Sequence, residues 1–255
     1  MFDLDGTLAK SKSSLDKEMA GLMRELLRKR YVAVASGGAF TQFKAQFLSE
    51  LPGNSNFRNL FLFPTNCASG YYYNTKRRFY RAYNHLLTKH EAKQIVQTFA
   101  TVFSELGYVQ PKKTYGPVLE NRGSQVTFSA LGQEAPLRLK QRWDPKQKKR
   151  LKMRKLLKKY LPNFEVSIGG TTSIDVTKKG VNKTLCVKKL KERLGIGKKQ
   201  MLYVGDALFK GGNDYIMRST GIVCVPVSGP EGTKKLIRKL IQTALRPTTA
   251  RIIRH

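Results

Sequence analysis

The chain has 255 residues, 40% of them hydrophobic, with 48 Lys and Arg against 17 Asp and Glu and a formal net charge of +31. That length allows one sizeable core, or a core with a smaller second lobe, and no apolar run approaches a membrane span. Acids and a glycine stand within six residues of Met1, unlike a signal peptide, so a cytoplasmic location is expected. The three cysteines, Cys67, Cys186 and Cys224, are scattered and odd in number. They form no disulfide framework or zinc spacing and read as reduced, core-facing thiols. The charge attracts anions and polyanions over long range and in a salt-sensitive way, and says nothing about fold. General surface basicity is preferred over nucleic-acid contact, because none of the usual nucleic-acid-binding motifs is present.

In chain order, residues 2–8 read as a strand end running into a turn. Only Met1 and Phe2 precede Asp3, whereas a central strand usually has about five or six residues, so a natural start upstream of Met1 is expected. Met19, Leu22, Met23, Leu26 and Leu27 recur at helical spacing across 16–30. A buried strand follows at 31–35, then a helix at 40–51 and a strand at 60–63. This alternation predicts a parallel sheet with helices on both faces. From Tyr71 the pattern changes: a hairpin (71–73 with 78–80), a helix (89–106), a strand-like stretch (118–131), a basic helix (145–160) and strands at 164–168 and 172–176. The rhythm then resumes with a helix at 181–194, a strand at 201–204, a helix at 213–219, a strand at 222–225 and a helix at 230–245. The chain thus reads as an α/β core at 1–74 and 179–247, interrupted by an α+β insert at 75–178 and followed by a basic tail at 248–255. Ligands of open α/β sheets bind beyond the carboxyl ends of the strands. Asp3, Ser36 and Asp206 fall at such ends, and the insert is expected to cover that edge as a lid.

Four pieces carry chemistry. In Asp3-Leu4-Asp5-Gly6-Thr7-Leu8, two carboxylates two residues apart can reach one phosphoryl group, one attacking and the other handling the proton. Gly6 lets the backbone turn so that amide N–H groups can face the phosphate. Ser36, with Gly37 and Gly38 after it, offers a hydroxyl and amides at a strand end. Lys183, in Gly180-Val-Asn-Lys-Thr, can neutralise nucleophile and phosphate. Asp206 in Gly205-Asp206 is placed to bind a hard cation with Asp3, and Asn213 and Asp214 can support it. Each piece has an ordinary alternative: an Asp-Gly turn, a small turn residue, a solvated lysine, and Asp214 as a helix cap.

Together and in this order, these residues resemble the haloacid dehalogenase (HAD) superfamily. That resemblance implies a Rossmann-like parallel-sheet core and an aspartyl-phosphate mechanism with Mg²⁺. Asp3 would be the nucleophile, Asp5 the general acid/base and Lys183 the charge-balancing lysine. Ser36, Gly37, Gly6, Thr7, Lys183 and Asn213 would bind phosphate. The metal set would be Asp3, Asp5 (through its backbone carbonyl), Asp206 and Asp214. A narrower resemblance, covering about residues 2–240, is to the eukaryotic phosphomannomutase branch with its type IIB cap. It rests on Gly205-Asp206 spaced from Gly211-Gly212-Asn213-Asp214, on Glu120-Asn-Arg122, Thr127-Phe-Ser129 and Gly132-Gln133, and on Ser167-Ile-Gly-Gly170-Thr-Thr-Ser173-Ile-Asp175. It implies a cap that contacts a phosphosugar through Arg122, Gln133, Lys140, Ser173 and Asp175, and leaves room for a homodimer through that cap.

The departures bear on the reaction. Gln133 stands where a second arginine is expected, Lys140 where a third falls, and Lys12 replaces an arginine after Asp-Gly-Thr-Leu. Lysine keeps the charge but loses the bidentate fork; Gln133 loses the charge. A mutase must bind its two phosphates in turn, a phosphatase only one, so a sugar-phosphate phosphatase is expected ahead of a mutase. The stretch 138–159, with 12 Lys and Arg and one acid, Asp144, reads as a cap helix with a solvated basic face. Leu151, Leu156, Leu157 and Tyr160 form its expected apolar stripe. A basic RNA-binding component with a vestigial site is the alternative from another class.

Overall fold

The computed structural model describes residues 1–53 and 55–243, so the expected tail at 248–255 and the end of the last helix beyond 243 lie outside the described residues. The chain forms two compact units: Met1–Tyr83 together with the residues from Lys183 onward, and Asn84–Asn182. The first unit begins with α1 (Lys17–Lys29), β1 (Val32–Ala35), α2 (Phe40–Gln46), β2 (Leu60–Phe63), β3 (Ser69–Asn74) and β4 (Arg78–Asn84). The second holds α3 (Lys89–Glu105), β5 (Leu119–Asn121), β6 (Val126–Ser129), α4 (Leu137–Trp143), α5 (Lys148–Tyr160), β7 (Phe164–Gly169) and β8 (Ser173–Lys178). The first then resumes with α6 (Leu185–Leu194), β9 (Leu202–Gly205), β10 (Val223–Pro226) and α7 (Pro230–Gln242). No helix among the described residues is long and apolar enough to cross a membrane.

In the first unit β1 and β2 are parallel, and every residue of both is buried. Strands covered on both faces need continuous apolar runs, which is why the sequence shows Val-Ala-Val-Ala and Leu-Phe-Leu-Phe rather than alternation. β9 and β10 are likewise parallel. Phe2 bridges to both Val34 and Val204, so the opening segment lies between β1 and β9. Its backbone is tied on both sides, Phe2 N to Ala33 O at 2.8 Å and Asp3 N to Val204 O at 2.9 Å. These bonds seat Asp3 at the sheet's carboxyl edge. α1 is capped by Asp16, whose side chain accepts from Met19 N at 2.8 Å, and it buries Met19, Met23, Leu26 and Leu27.

Several elements differ from expectation. The sheet continues from β2 into antiparallel β3 and then β4, and the division between units falls after Tyr83 rather than at 74. Ring contacts of Phe57 with Tyr73 at 5.6 Å and with Phe79 at 5.2 Å hold the hairpin to the first unit, a bond that chain rhythm does not reveal. α2 stops at Gln46, and a short 3₁₀ turn takes Leu48–Glu50. The helix expected at 213–219 is a 3₁₀ turn, Tyr215–Thr220. Cys67 and Cys186 are buried free thiols, while Cys224 is half-exposed.

The second unit is an antiparallel sheet ordered β5-β6-β8-β7. Its period-two pattern sends Val126, Phe128, Val166, Ile174 and Val176 into a core with Ile95, Phe99 and Val102 of α3 and Met153 and Leu157 of α5. α3 opens with a full capping box, Thr88 and Glu91 each bonding the other's amide. α4 was not expected. On α5 the buried stripe is Met153 and Leu157, with Leu156 half-buried, whereas Leu151 and Tyr160 are exposed by 43% and 37%. The cause is Arg150, which lies on the inner face. Its Nε bonds Asp144 at 3.1 Å and its Nη1 bonds the carbonyls of Gly169 and Gly170, which sets the helix phase.

Candidate active site

Asp3, Ser36 and Asp206 each follow a parallel segment of the first unit, at its carboxyl edge. The sheet register brings Asp3 and Asp206 together, and Lys183 reaches them from just ahead of α6. The Lys183 ammonium donates to Asp3 Oδ1 at 2.6 Å and to Asp214 Oδ1 at 2.7 Å, and all three side chains are buried. Burial alone would lower the Lys183 pKa, but Asp214 and Asp3 overcome it and hold the ammonium protonated. Burial raises Asp3 well above the usual carboxylate range, with Lys183 pulling against it. Asp206 is also raised, first by burial and then by the like charge of Asp214.

Asp214 does not cap the turn that follows it. Its Oδ1 also accepts from the Tyr203 hydroxyl at 2.6 Å, and its Oδ2 accepts from Ala207 N at 3.3 Å. Gly205 is obligatory beside it, because a Cβ there would overlap the Asp214 carboxylate. One carboxylate oxygen from each of Asp3, Asp206 and Asp214 lies within 4.8 Å of the others. Ionised, three carboxylates against one ammonium leave a net charge of −2, and hard oxygen donors so crowded fit a hard dication.

The Asp5 carboxylate stands apart from that cluster. Its Oδ1 accepts from the Lys12 amide at 2.5 Å, and its Oδ2 accepts from Gln42 Nε2 at 3.0 Å. Lys12 thus serves this loop through its backbone, in a left-handed conformation at φ 57°, while its side chain is exposed. Gly6 turns at φ 84°, and a Cβ there would lie 2.5 Å from Asp206 Oδ2. Only glycine fits both demands. Thr7, expected at phosphate, is fully buried and positions Asp206: its Oγ1 accepts from the Asp206 amide at 3.0 Å and bonds Asp206 Oδ1 at 3.2 Å. The Ser36 hydroxyl accepts from Gly38 N at 3.2 Å, which closes the Ser36-Gly37-Gly38 turn. Asn213 sits half-buried next to Asp214.

The residues expected to contact substrate from the insert share the second unit. Ser173 pairs across the sheet with Ser129, hydroxyl to hydroxyl at 3.0 Å, and Gln133 donates to Ser129 Oγ. Lys140 is buried, and its ammonium bonds Gln133 O at 2.8 Å. Asp175 is buried opposite Thr127, and its Oδ1 accepts from Thr127 Oγ1 at 2.9 Å and Gln125 Nε2 at 3.0 Å. Arg122 pairs with Glu120 through Nε at 3.0 Å and Nη2 at 2.6 Å. Ser129, Ser173, Thr127 and Asp175 therefore form one polar patch on the sheet face opposite its apolar core.

Sequence reading missed Tyr203 and Gln42. Tyr203 hides in the apolar strand Leu-Tyr-Val, where tyrosine looks like packing. A hydroxyl-bearing ring three residues ahead of Asp206, in a strand buried on both faces, was the available signal. Gln42 offered none, because its reach to Asp5 depends on how α2 lies against the opening loop.

Residues 19–243 match the profile of the family described as eukaryotic phosphomannomutase. The chain is 26% identical over 251 residues to a phosphomannomutase of Encephalitozoon cuniculi, covering 95% of this chain and 93% of that protein. It is 26% identical over 246 residues to that of Saccharomyces cerevisiae, covering 94% and 92%. Among solved structures, an N-terminally truncated IMP-nucleotidase of Plasmodium falciparum superimposes with a TM-score of 0.70 at 15% identity, over 96% of this chain and 70% of that one. A sucrose-phosphatase of Synechocystis, in complex with sucrose and phosphate, gives 0.53 at 16% identity, over 98% and 91%. The fold is that of the haloacid dehalogenase superfamily, and within it the chain belongs to the eukaryotic phosphomannomutase family.

Proposed function

We propose that this protein is a Mg²⁺-dependent phosphosugar phosphohydrolase that works through an aspartyl-phosphate on Asp3. The observation that carries this reading is the buried Lys183 ammonium shared by Asp3 and Asp214, with Asp206 beside them. Lys183 holds Asp3 Oδ1, which leaves Oδ2 to attack the phosphorus as the P–O bond to the sugar breaks. The departing sugar oxygen takes its proton from Asp5, which is oriented for that exchange by Gln42 and the Lys12 amide. Asp5 then takes the proton of a water that attacks the phosphoryl group, releasing inorganic phosphate and restoring Asp3. Asp3, Asp206 and Asp214, with the Asp5 carbonyl, would hold the Mg²⁺, which when bound supplies positive charge against the repulsion between the carboxylates and the phosphate dianion. Ser36, Gly37, Thr7 and Asn213 would complete the phosphate cradle, while the Gly6 amide, which donates to Ala9 O at 2.8 Å, shapes the loop.

Hydrolysis is favoured over isomerisation by the second unit. Gln133 is uncharged, Arg122 is paired with Glu120, and the Lys140 ammonium is bonded to the Gln133 carbonyl. A mutase must grip two phosphates in turn, and these groups offer a weak second grip. The family membership favours the other reading, interconversion of mannose 1-phosphate and mannose 6-phosphate. One assay separates them: mannose 1-phosphate is incubated with Mg²⁺ and a hexose bisphosphate, and products are resolved by ³¹P NMR. Free phosphate is expected; mannose 6-phosphate would establish the mutase. Asp3→Asn should abolish either activity, and turnover that survives it would overturn both.

A further inference from the structure

We propose that the exposed face of α5, with the adjoining surface of α4, binds single-stranded RNA. Between residues 137 and 160, Arg138, Arg142, Lys146, Lys148, Lys149, Lys152, Lys155, Lys158 and Lys159 are exposed. The one acid of that stretch, Asp144, is buried and bonded to Arg150, so it does not offset them. None of these nine cations makes an ion pair among the described residues. The other long helices carry their own acids: Glu18 and Glu25 on α1, Glu91 and Glu105 on α3, Glu192 on α6 and Glu231 on α7. α5 has none. Excess charge is thus concentrated here rather than spread evenly.

The spacing organises it. Lys148, Lys152, Lys155 and Lys159 recur at i, i+4, i+7 and i+11, which places them within about 60° of one another around the helix and over about 16 Å of its length. Aromatic groups sit among the cations: Lys149 lies 5.2 Å over the Trp143 ring, and Lys159 lies 5.3 Å over the exposed Tyr160, whose hydroxyl donates to Glu105. A row of cations ending beside the exposed Tyr160 ring, with the half-buried Trp143 at its other end, suits a strand with stackable bases. An anionic membrane fits less well. An interfacial helix needs its apolar face free, and that of α5, Met153 and Leu157, is inside the core. The exposed Leu137, Leu139 and Leu151 sit on two separate helices.

The test uses the full chain and a fluorescein-labelled oligo(U) of about 20 nucleotides, with anisotropy read from about 50 to 300 mM KCl. The variant Lys148→Gln/Lys152→Gln/Lys155→Gln/Lys159→Gln should lower the slope of log K against log salt by about 3, at about 0.7 for each phosphate no longer neutralised. The control, Lys188→Gln/Lys191→Gln/Lys235→Gln/Lys239→Gln, removes the same exposed charge from α6 and α7 and should change it by less than about 1. Equal losses in both variants would show diffuse basicity and overturn the proposal. So would stripe-dependent binding to phosphatidylserine vesicles with none to RNA. Phosphate release should be unchanged in the stripe variant, so this proposal and the enzymatic reading can fail separately.

Discussion

Lys183→Met tests the charge arithmetic of the site. In the parent the ammonium faces Asp3 at 2.6 Å and Asp214 at 2.7 Å, with all three side chains buried. Methionine keeps the length and loses the charge, so two buried carboxylates lose their cation. Breaking such a pair costs about 3–5 kcal/mol, a large share of the roughly 5–15 kcal/mol that holds a domain folded. With a urea slope of about 2–3 kcal/mol per molar, the midpoint should fall by about 1–2 M. The assay is far-UV circular dichroism in EDTA, so that bound cation does not mask the loss. Fluorescence of the single tryptophan, Trp143, reports the second unit instead and serves as an internal reference. The pH dependence is the sharper check. Asp3 is already raised by burial against the pull of Lys183, and removing that pull raises it further. The native state then binds a proton that the unfolded state releases, so stability falls as pH rises from about 3.9 towards the raised native value. The deficit relative to the parent should shrink as pH is lowered from about 7 to about 4, and adding Asp214→Asn should recover part of it at neutral pH. A deficit below about 1 kcal/mol, or one that grows on acidification, would refute the reasoning.

Three further outcomes follow from the geometry. Tyr203→Phe removes one of the two donors to Asp214 Oδ1, at about 1.5–3 kcal/mol for a bond to a charged group; calorimetry should show weaker Mg²⁺ binding, and unchanged binding would make Tyr203 a packing residue. Gly6→Ala places a methyl against Asp206 at φ 84°; it should cost about 1–2 kcal/mol by urea unfolding and raise the Mg²⁺ concentration needed for half-maximal activity. Gln133→Arg restores a cation beside Ser129. It should raise the yield of isomerised sugar phosphate relative to free phosphate, and no change in that ratio would remove Gln133 from the specificity argument.

The sequence alone determined which residues form the polar edge, because continuous apolar runs ending in Asp, Ser-Gly-Gly and Gly-Asp are local patterns. The order of strands and helices was legible for the same reason: periodicity is written in neighbouring residues, and α1, β1, β2, α3 and β9 fall within a residue or two of their expected bounds. What tertiary structure alone decided are pairings between positions far apart in the chain. Whether Asp214 caps its turn or joins Lys183 depends on a contact between side chains 31 residues apart in the chain. That Thr7 also positions Asp206 was hidden because the two stand 199 residues apart. The hairpin β3–β4 joined the first unit through rings of Phe57, Tyr73 and Phe79, and the phase of α5 was set by Arg150 reaching Asp144 and two carbonyls. The opening strand makes the same point. Asp3 is seated by hydrogen bonds that Phe2 and Asp3 make to Ala33 and Val204, partners more than 30 residues away that no local pattern names.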